Sequence, residues 1–221
     1  MTRVIEIDPL NIDSSLIWDA ARVIRNGGLV AFPTETVYGV GADVFNEDAI
    51  RKIFAVKTRP LNKPLAVCIS NLGQLEQLAS VIPKQAELLA DRFLPGPLTL
   101  ILPKKNTIPN DVTAYSNSVG VRCPDNEIAL SLIEKVAMPI VATSANISGK
   151  PSLCTAKEVF KQMSGKIDLI IDGGPTRLKR PSTVVDFTSS PYRVLREGAL
   201  SKEAIDQFLQ ERGFAALEII K

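Results

Sequence analysis

The sequence predicts an α/β domain built on a mixed β-sheet, and three observations support this fold class. Short apolar runs typical of buried strands alternate with segments of helical periodicity along most of the chain. The apolar fraction of 45% is enough for a sizeable core. Near the C-terminus two strand-like runs, 182–187 and 192–196, follow one another with no helix between them. Two consecutive strands without a helix between them do not fit one doubly wound parallel sheet, so we expect antiparallel strands there.

The predicted helices rest on apolar residues that recur at three- and four-residue spacing. Residues 14–26 show this pattern, and the Gly27-Gly28 pair that follows supplies a stop. Further helices are expected over 46–56, 71–80, 83–93, 126–137 and 155–163. A last helix is expected to begin near Ser201, whose hydroxyl is a plausible N-cap.

The predicted strands are short apolar runs bounded by turn residues. The first, residues 29–32, leads directly into a loop rich in hydroxyl groups and glycine. The others before the C-terminal pair are 65–70, 98–102, 119–123, 139–142 and 168–172. The chain of 221 residues contains neither a long linker nor an internal repeat, so we expect a single domain over residues 1–221.

Composition excludes several classes of chemistry. Histidine is absent, which removes Ser-His-Asp and Cys-His nucleophile systems and the commonest metal ligand. The three cysteines, Cys68, Cys123 and Cys154, are too widely spaced for a CxxC motif and are expected as reduced thiols in or near the core. No apolar run approaches the length of a membrane span, and the N-terminus lacks the features of a signal peptide. We therefore expect a cytoplasmic protein that does not engage a membrane; its net charge of +2 excludes neither a nucleotide nor RNA.

Two loops stand out for their position and chemistry. Residues 33–39 follow the first strand, and the carboxyl ends of strands are where ligands bind in open α/β sheets. An ordinary capped turn explains that segment equally well. Residues 57–64 hold three cations, Lys57, Arg59 and Lys63, on a backbone stiffened by two prolines. Such a loop suits a polyphosphate, although a solvated basic loop is the alternative.

Two further regions add polar groups after short apolar strands. Residues 143–152 could present hydroxyls and backbone amides to phosphate oxygens, although their spacing is not that of a Walker A loop. A plain Ser/Asn turn is the alternative. Arg122 ends another short strand, where its charge needs an anionic partner, either a structural carboxylate or a substrate anion. Spacing alone thus indicates an anion-binding α/β enzyme and leaves its reaction open.

In combination the motifs resemble the YrdC/Sua5 family of L-threonylcarbamoyladenylate synthases. The segments that carry the resemblance are PTETVYGVGADV, KTRPLNKPL, LPGPLTLIL, VGVRCP, TSANISGKPS, DGG and PSTVVD. The resemblance implies a twisted mixed sheet flanked by helices around a large, positively charged concave cavity. It covers about residues 8–200, leaves 201–221 as a helical tail, and implies a short, single-domain form.

The resemblance also implies a reaction. Such a nucleotidyltransferase converts ATP, L-threonine and bicarbonate (or carbon dioxide) into threonylcarbamoyl-AMP and pyrophosphate. The product serves the formation of N6-threonylcarbamoyladenosine at position 37 of tRNA, which a separate transferase completes. Mg²⁺ is expected to arrive with ATP, and no metal ligand from protein side chains is predicted.

Site residues carry over motif by motif. The K-x-R and S-x-N pairs of the family correspond to Lys57, Arg59, Ser144 and Asn146, which are expected to be catalytic and to bind ATP. Arg196 is expected to close over the phosphates. Thr34, Arg122 and Ser182 are expected to bind threonine, with Arg122 on its carboxylate. Thr36, Tyr38 and Lys63 are weaker candidates for the same cavity.

One departure from the family concerns Cys68, which stands in the strand where some relatives carry a histidine, so the role of that histidine does not transfer. Two other interpretations stay open. One is a module that binds double-stranded RNA or tRNA by shape without turnover, although aromatic residues amount to only 5%. The other is a carbamoyl-transfer domain like that of hydrogenase maturation proteins, whose additional segments this chain lacks. A purely structural protein fits the polar loops least.

Overall fold

The computed structural model describes residues 1–219, which form one mixed sheet with helices against it. The α-helices are α1 (Ser14–Arg25), α2 (Glu47–Lys57), α3 (Leu75–Leu78), α4 (Lys84–Phe93), α5 (Asn110–Thr113), α6 (Glu127–Val136), α7 (Ala156–Met163) and α8 (Lys202–Gln210). The strands are β1 (Arg3–Glu6), β2 (Val30–Phe32), β3 (Gly39–Asp43), β4 (Ala66–Cys68), β5 (Leu98–Pro103), β6 (Ser118–Arg122), β7 (Ile140–Ser144), β8 (Leu169–Asp172), β9 (Thr183–Asp186), β10 (Arg193–Arg196) and β11 (Glu218–Ile219).

The eleven strands of the described chain lie in the order β1-β8-β2-β3-β7-β4-β6-β5-β9-β10-β11. Parallel and antiparallel pairs both occur in this sheet. For example, β4 pairs parallel with β6, whereas β7 pairs antiparallel with both β3 and β4. The predicted mixed sheet is confirmed, and so is the antiparallel pairing near the C-terminus, which joins β9 to β10.

Both faces of the sheet are covered, as alternation along single strands shows. In β2, Ala31 packs into one hydrophobic cluster, while Val30 and Phe32 pack into the other. Successive side chains of a strand point to opposite faces, so the two clusters lie on opposite sides of the sheet. Helices α1 and α6 pack together in the cluster that contains Val30 and Phe32.

Local sequence accounts for the start of five of the eight described α-helices. Asp13, Asn46, Asn126 and Thr155 each accept a backbone N–H bond at the start of α1, α2, α6 and α7 in turn. Ser201 does the same for α8, as predicted. The predicted helix over 71–80 is instead a short 3-10 turn at Leu72–Gln74 followed by the single turn of α3.

Three strands and the tail differ from the sequence prediction. Strand β3 occupies part of the segment predicted as a loop, and β1 and β11 form at the sheet edges. The predicted helical tail over 201–221 is helical only to Gln210, after which residues 218–219 pair with β10. Residues 220 and 221 lie outside the described chain. Within residues 1–219, no helix combines the length and apolar character needed to cross a membrane.

Candidate functional site

A cavity of about 310 Å³ lies on one face of the sheet. Alternate residues of the central strands line it, as expected where every second side chain points to the same face. The lining comprises Phe32, Thr34, Val37, Tyr38, Gly39, Arg59, Pro64, Leu65, Ala66, Cys68, Thr99, Ile101, Ser118, Gly120, Arg122, Ala142, Thr143, Ser144, Ser152, Pro181, Ser182, Val184 and Arg196. Three arginines and no carboxylate stand among these described lining residues.

The cavity lies across the strands, not at one carboxyl edge as the sequence led us to expect. Pairing places Cys68 of β4 opposite Ile140 of β7 and beside Arg122 of β6. Ser144 therefore ends β7 at the opposite end from Arg122, because β7 runs against β4 and β6. The carboxyl-edge rule applies to parallel sheets, and the mixed sheet spreads the predicted polar residues over one face.

The loop after β2 is both a capped turn and part of the cavity wall. The Thr34 hydroxyl donates to the carbonyl oxygen of Val37 at 2.6 Å and accepts from the backbone N–H groups of Thr36 and Val37 at 3.2 and 3.3 Å. These bonds fold the loop into a turn with Thr34 in the cavity lining. The two interpretations of this loop are therefore compatible.

A buried ion pair adjoins that turn. Arg122 donates to Glu35 Oε2 at 2.8 Å and to the Thr36 hydroxyl at 2.6 Å. The Glu35 side chain is 1% exposed and that of Arg122 is 12% exposed. The structure thus gives Arg122 a structural carboxylate as its partner while keeping it in the cavity wall. The sequence singles out the loop that contains Glu35 but not Glu35 as the partner of Arg122, because the two residues are 87 positions apart in the chain.

Arg59 and Arg196 have a different environment. The Arg59 guanidinium donates to the carbonyl oxygens of Lys63 and Pro64 at 3.1 and 2.7 Å, and the Arg196 guanidinium donates to that of Ser182 at 3.1 and 2.8 Å. Neither forms an ion pair with a carboxylate of residues 1–219. Burial lowers the pKa of both, and each is lowered further by a neighbouring arginine: Arg196 acts on Arg59, and Arg122 acts on Arg196. Arg196 is therefore close enough to interact unfavourably with Arg59 on one side and with Arg122 on the other.

Close packing fixes the segment that carries Arg196. A Cβ atom on Gly198 would lie 2.1 Å from the carbonyl oxygen of Pro181, so no other residue fits there without displacing the backbone. The Gly198 N–H donates to the Thr183 hydroxyl at 2.8 Å. This contact holds the turn after β10 against the start of β9, where Ser182 lies.

Lys57 does not line the cavity. Its side chain is buried, with 1% of the residue exposed, at the end of α2. The ammonium donates to the carbonyl oxygen of Ser144, to that of Asn146 at 2.5 Å, and to Asn146 Oδ1 at 3.5 Å. Burial, and secondarily Arg59, lower the pKa of Lys57 to about 7.

The remaining predicted residues divide between the cavity and its support. Ser144 and Ser182 line the cavity, and the Ser182 hydroxyl is hydrogen-bonded to the hydroxyl of Thr99 at 2.8 Å. Asn146 is buried behind the cavity, where its amide donates to the carbonyl oxygens of Ile147 and Lys150 at 3.1 and 2.6 Å. Sequence reasoning missed Thr99, because a single threonine in an apolar strand gives no signal.

The weaker candidates divide in the same way. Tyr38 lines the cavity, and its hydroxyl donates to the carbonyl oxygen of Gly174 at 2.8 Å, while burial raises its pKa. Thr36 lies behind Arg122 and is fully buried. Lys63 is exposed and stands outside the cavity wall.

Two cysteines are neutral thiols close to the paired arginine. Cys68 lines the cavity and is 5% exposed, and burial raises its pKa to about 11. Cys123 is fully buried, and burial raises its pKa to about 12. At neutral pH neither thiol adds a negative charge beside Arg122.

Within residues 1–219, no cluster of three or more carboxylate or thiol side chains is arranged to hold a metal ion. That Mg²⁺ arrives with ATP therefore stays a prediction, and nucleotide phosphates would be its expected ligands.

Comparison with known proteins adds a family to this geometry. The sequence model of the Sua5/YciO/YrdC family, described as "Telomere recombination", matches residues 22–198. The threonylcarbamoyl-AMP synthase of Pyrococcus abyssi is 52% identical over 192 residues, which cover 87% of this chain and 56% of that protein. The Bacillus subtilis protein of the same name is 44% identical over 200 residues, covering 90% and 58%. This chain thus spans a little over half the length of these curated relatives.

A solved structure agrees with this similarity. Pyrococcus abyssi Sua5 in complex with L-threonine superposes with a TM-score of 0.94 at 47% identity. The match covers 99% of this chain and 63% of that one. The fold implied by the sequence motifs is therefore confirmed.

Proposed function

The chain belongs to the Sua5/YciO/YrdC family, and we propose that it synthesises threonylcarbamoyl-AMP from ATP, L-threonine and bicarbonate or carbon dioxide. Two relatives of that name at 52% and 44% identity, and the threonine complex of a structural relative, support the reaction. Residues on this chain's own cavity supply the physical argument.

One observation supports the assignment best: the cavity holds one arginine with a carboxylate partner and two without. Arg122 is paired with Glu35, so its neighbourhood carries little net charge. Threonine is a zwitterion without net charge, so it suits that neighbourhood. Arg196 lowers the pKa of Arg59, neither residue has a carboxylate partner within the described chain, and a polyanionic triphosphate would stabilise both charges.

The proposed chemistry requires no protein nucleophile, which agrees with a chain that has no histidine. The bound threonine first loses its ammonium proton to water, and the free amine then attacks carbon dioxide, forming an N–C bond and releasing a second proton to water to give the carbamate. A carbamate oxygen then attacks the α-phosphorus of ATP, forming a P–O bond, and the bond to pyrophosphate breaks. Positioning and charge stabilisation dominate such transfers, and Arg59 and Arg196 provide the charge. Mg²⁺ bound to the phosphates would add to it.

The predicted residues that line the cavity each have a proposed task that fits their position. Thr34, Arg122 and Ser182 would contact threonine, with Thr34 or Ser182 as partner of the substrate hydroxyl. Discrimination against serine by one methyl group is limited to about 1–3 kcal/mol. Ser144 would contact the nucleotide from the opposite strand end. As part of the proposal, the product passes to a separate tRNA-modifying transferase in the cytoplasm.

Mass spectrometry tests the reaction directly. Incubation with ATP, threonine and ¹³C-bicarbonate should give threonylcarbamoyl-AMP carrying one label, and pyrophosphate release should stop when threonine or bicarbonate is omitted. Pyrophosphate release that is independent of both would overturn the proposal. Salt-dependent binding of double-stranded RNA without turnover would favour the binding-module interpretation instead.

A further inference from the structure

Hydrogen bonds connect Lys57 to the segment 144–150, and the proposed reaction does not explain them. We call this connection the bracket. We propose that Lys57 is a positioning residue: it holds the Ser144–Asn146 turn in place before any substrate binds, and it does not contact the ATP phosphates. This inference deepens the proposed function, because it removes Lys57 from the phosphate contacts that the family resemblance implies.

The first argument is the use of the ammonium protons. An ammonium group has three donors and no acceptor. Those of Lys57 face the carbonyl oxygens of Ser144 and Asn146 and, at 3.5 Å, Asn146 Oδ1. All three acceptors belong to one turn, so in the ligand-free protein two donors make short bonds to it and the third faces it at 3.5 Å. A phosphate contact would require at least one of these bonds to break.

The second argument is burial. Lys57 is 1% exposed and is not among the residues that line the cavity, whereas Arg59, two positions later, is. A buried cation with satisfied hydrogen bonds is costly to move, because the carbonyl oxygens it leaves would lose a charged donor. The arginines of the cavity wall can reach a phosphate without such a rearrangement.

The third argument is that Lys57 holds the turn at two points. Its own carbonyl oxygen accepts the N–H of Ser148 at 2.8 Å, so backbone and side chain of one residue bond the same segment. Lys57 is also the last residue of α2, where the carbonyl ends of the helix favour a cation. The end of α2 therefore acts as a fixed support for the segment that follows β7.

The support at the end of α2 affects the cavity because Ser144 lies in the cavity wall. Ser144 lines the cavity at the end of β7, and its carbonyl oxygen is one of the acceptors of Lys57. The Ala145 N–H donates to the carbonyl oxygen of Tyr38 at 2.7 Å, which ties the same turn to β3. With Lys57 in place, the Ser144 hydroxyl is held at a defined point of the wall before the nucleotide arrives.

Amide hydrogen exchange of the ligand-free protein tests the bracket. Lys57→Met removes the donors while keeping an unbranched side chain, and we expect exchange of the amides of 144–150 to quicken roughly tenfold. Lys57→Arg, which keeps a charged donor, should restore part of the protection. Lys52→Met is the matched control, because Lys52 lies on the same helix and donates only to the carbonyl oxygen of Gly27. Wild-type exchange of 144–150 in Lys57→Met would overturn the proposal, whatever reaction the protein catalyses.

A spectroscopic measurement on the unaltered chain covers the case in which Lys57→Met does not fold. With ¹⁵Nζ-labelled lysine at pH 6, below the pKa of about 7, the Lys57 ammonium should show protons that exchange slowly with water. Its signal should move little on saturation with a non-hydrolysable ATP analogue, while the Arg59 and Arg196 Nε signals shift. Rapid exchange in the free protein, or a Lys57 shift as large as those of the arginines, would contradict the proposal. Failure of the analogue to bind at all would count against the proposed function and not against the bracket.

Kinetics give a third readout that loss of stability alone would not produce. Lys57→Met and Asn146→Ala disrupt the same turn, so the second substitution should lower kcat/KM for ATP by less than about twofold once the first is present. Lys57→Met and Arg59→Ala act at different places, so their effects should multiply. Multiplicative effects in both pairs would show that Lys57 acts independently of the turn and would overturn the proposal.

Discussion

Two regions of the cavity wall use arginine in opposite ways. At Arg122 the guanidinium meets a buried carboxylate, Glu35, at 2.8 Å. Within residues 1–219, the guanidiniums of Arg59 and Arg196 meet only carbonyl oxygens and one hydroxyl, and each is close enough to another arginine for its pKa to fall. Arg122 thus has a carboxylate partner and the other two arginines have none within residues 1–219, although the charge of Arg122 still lowers the pKa of Arg196. The charge of each region therefore depends more on whether its arginines have a carboxylate partner than on how many arginines it contains.

The largest expected effect comes from removing the uncompensated charge. Arg59→Ala and Arg196→Ala should each lower kcat/KM for ATP by roughly 10²–10³-fold, the usual loss when a donor aimed at developing charge is removed. Pyrophosphate release at varied ATP concentration measures it.

The control for that loss is Arg51→Ala, an exposed arginine that pairs with Glu47 and Asp48 on α2. A loss of similar size in Arg51→Ala, or unchanged ATP kinetics in both cavity variants, would show that the two regions do not differ as described.

The second effect concerns the region of Arg122 and is one of stability. Glu35→Gln removes the carboxylate charge beside a buried arginine, and we expect the free energy of unfolding to fall by about 1.5–3 kcal/mol. Urea denaturation at pH 7 measures this change.

A surface pair of the same length provides the control. Arg51 and Glu47 are also 2.8 Å apart, but both side chains are more than half exposed. Glu47→Gln should therefore change stability by less than about 1 kcal/mol. Equal losses in the two variants would mean that burial does not distinguish the Glu35–Arg122 pair.

A smaller effect is expected at Ser182, whose hydroxyl contacts both Thr99 and Arg196. Thr99→Val keeps the shape of the side chain but leaves the Ser182 hydroxyl without its 2.8 Å partner. Since one such bond contributes about 1 kcal/mol, kcat/KM for threonine should fall roughly fivefold. Steady-state kinetics with threonine varied at saturating ATP check this, and a change confined to the ATP parameters would place Ser182 in the other region.

The smallest expected effect is that the thiols of Cys68 and Cys123 do not react with an alkylating reagent. Burial raises the pKa of Cys68 to about 11 and that of Cys123 to about 12, so both remain protonated at pH 8 and should resist iodoacetamide. The half-buried Cys154 serves as the reference within the same chain. Peptide mass spectrometry measures the three rates, and fast labelling of Cys68 would mean that a second negative charge helps to neutralise Arg122.

Local patterns were sufficient to predict most of the fold. Apolar periodicity located α1 and α6, and a hydroxyl at Ser201 located the start of α8. Strand β3 was missed because Gly39 and Gly41 reduce strand propensity, yet a Cβ on Gly41 would come within 3.0 Å of the Phe32 ring and of the Val141 carbonyl oxygen. Packing with other strands requires glycine there, and a single segment does not reveal its neighbours.

The site was predicted in part for the same reason. The motifs brought Thr34, Arg59, Arg122, Ser144, Ser182 and Arg196 to one cavity wall. They did not reveal that Lys57 is buried against the Ser144–Asn146 turn outside the cavity lining, or that Glu35 is the partner of Arg122. Both facts depend on contacts across 87 residues or more, which residue type and spacing do not encode.

The strand order has a consequence for when the cavity forms during folding. The cavity wall uses residues from Phe32 to Arg196, and β1 can pair with β8 only after some 165 further residues have been made. Contacts so distant in sequence form late and slowly. During synthesis the early strands β2 and β3 can pair with each other, but a binding site exists only once β9 and β10 have joined the sheet. A chain that ends before β9 therefore lacks part of the cavity wall, and the wall is complete only after the last of these strands has paired.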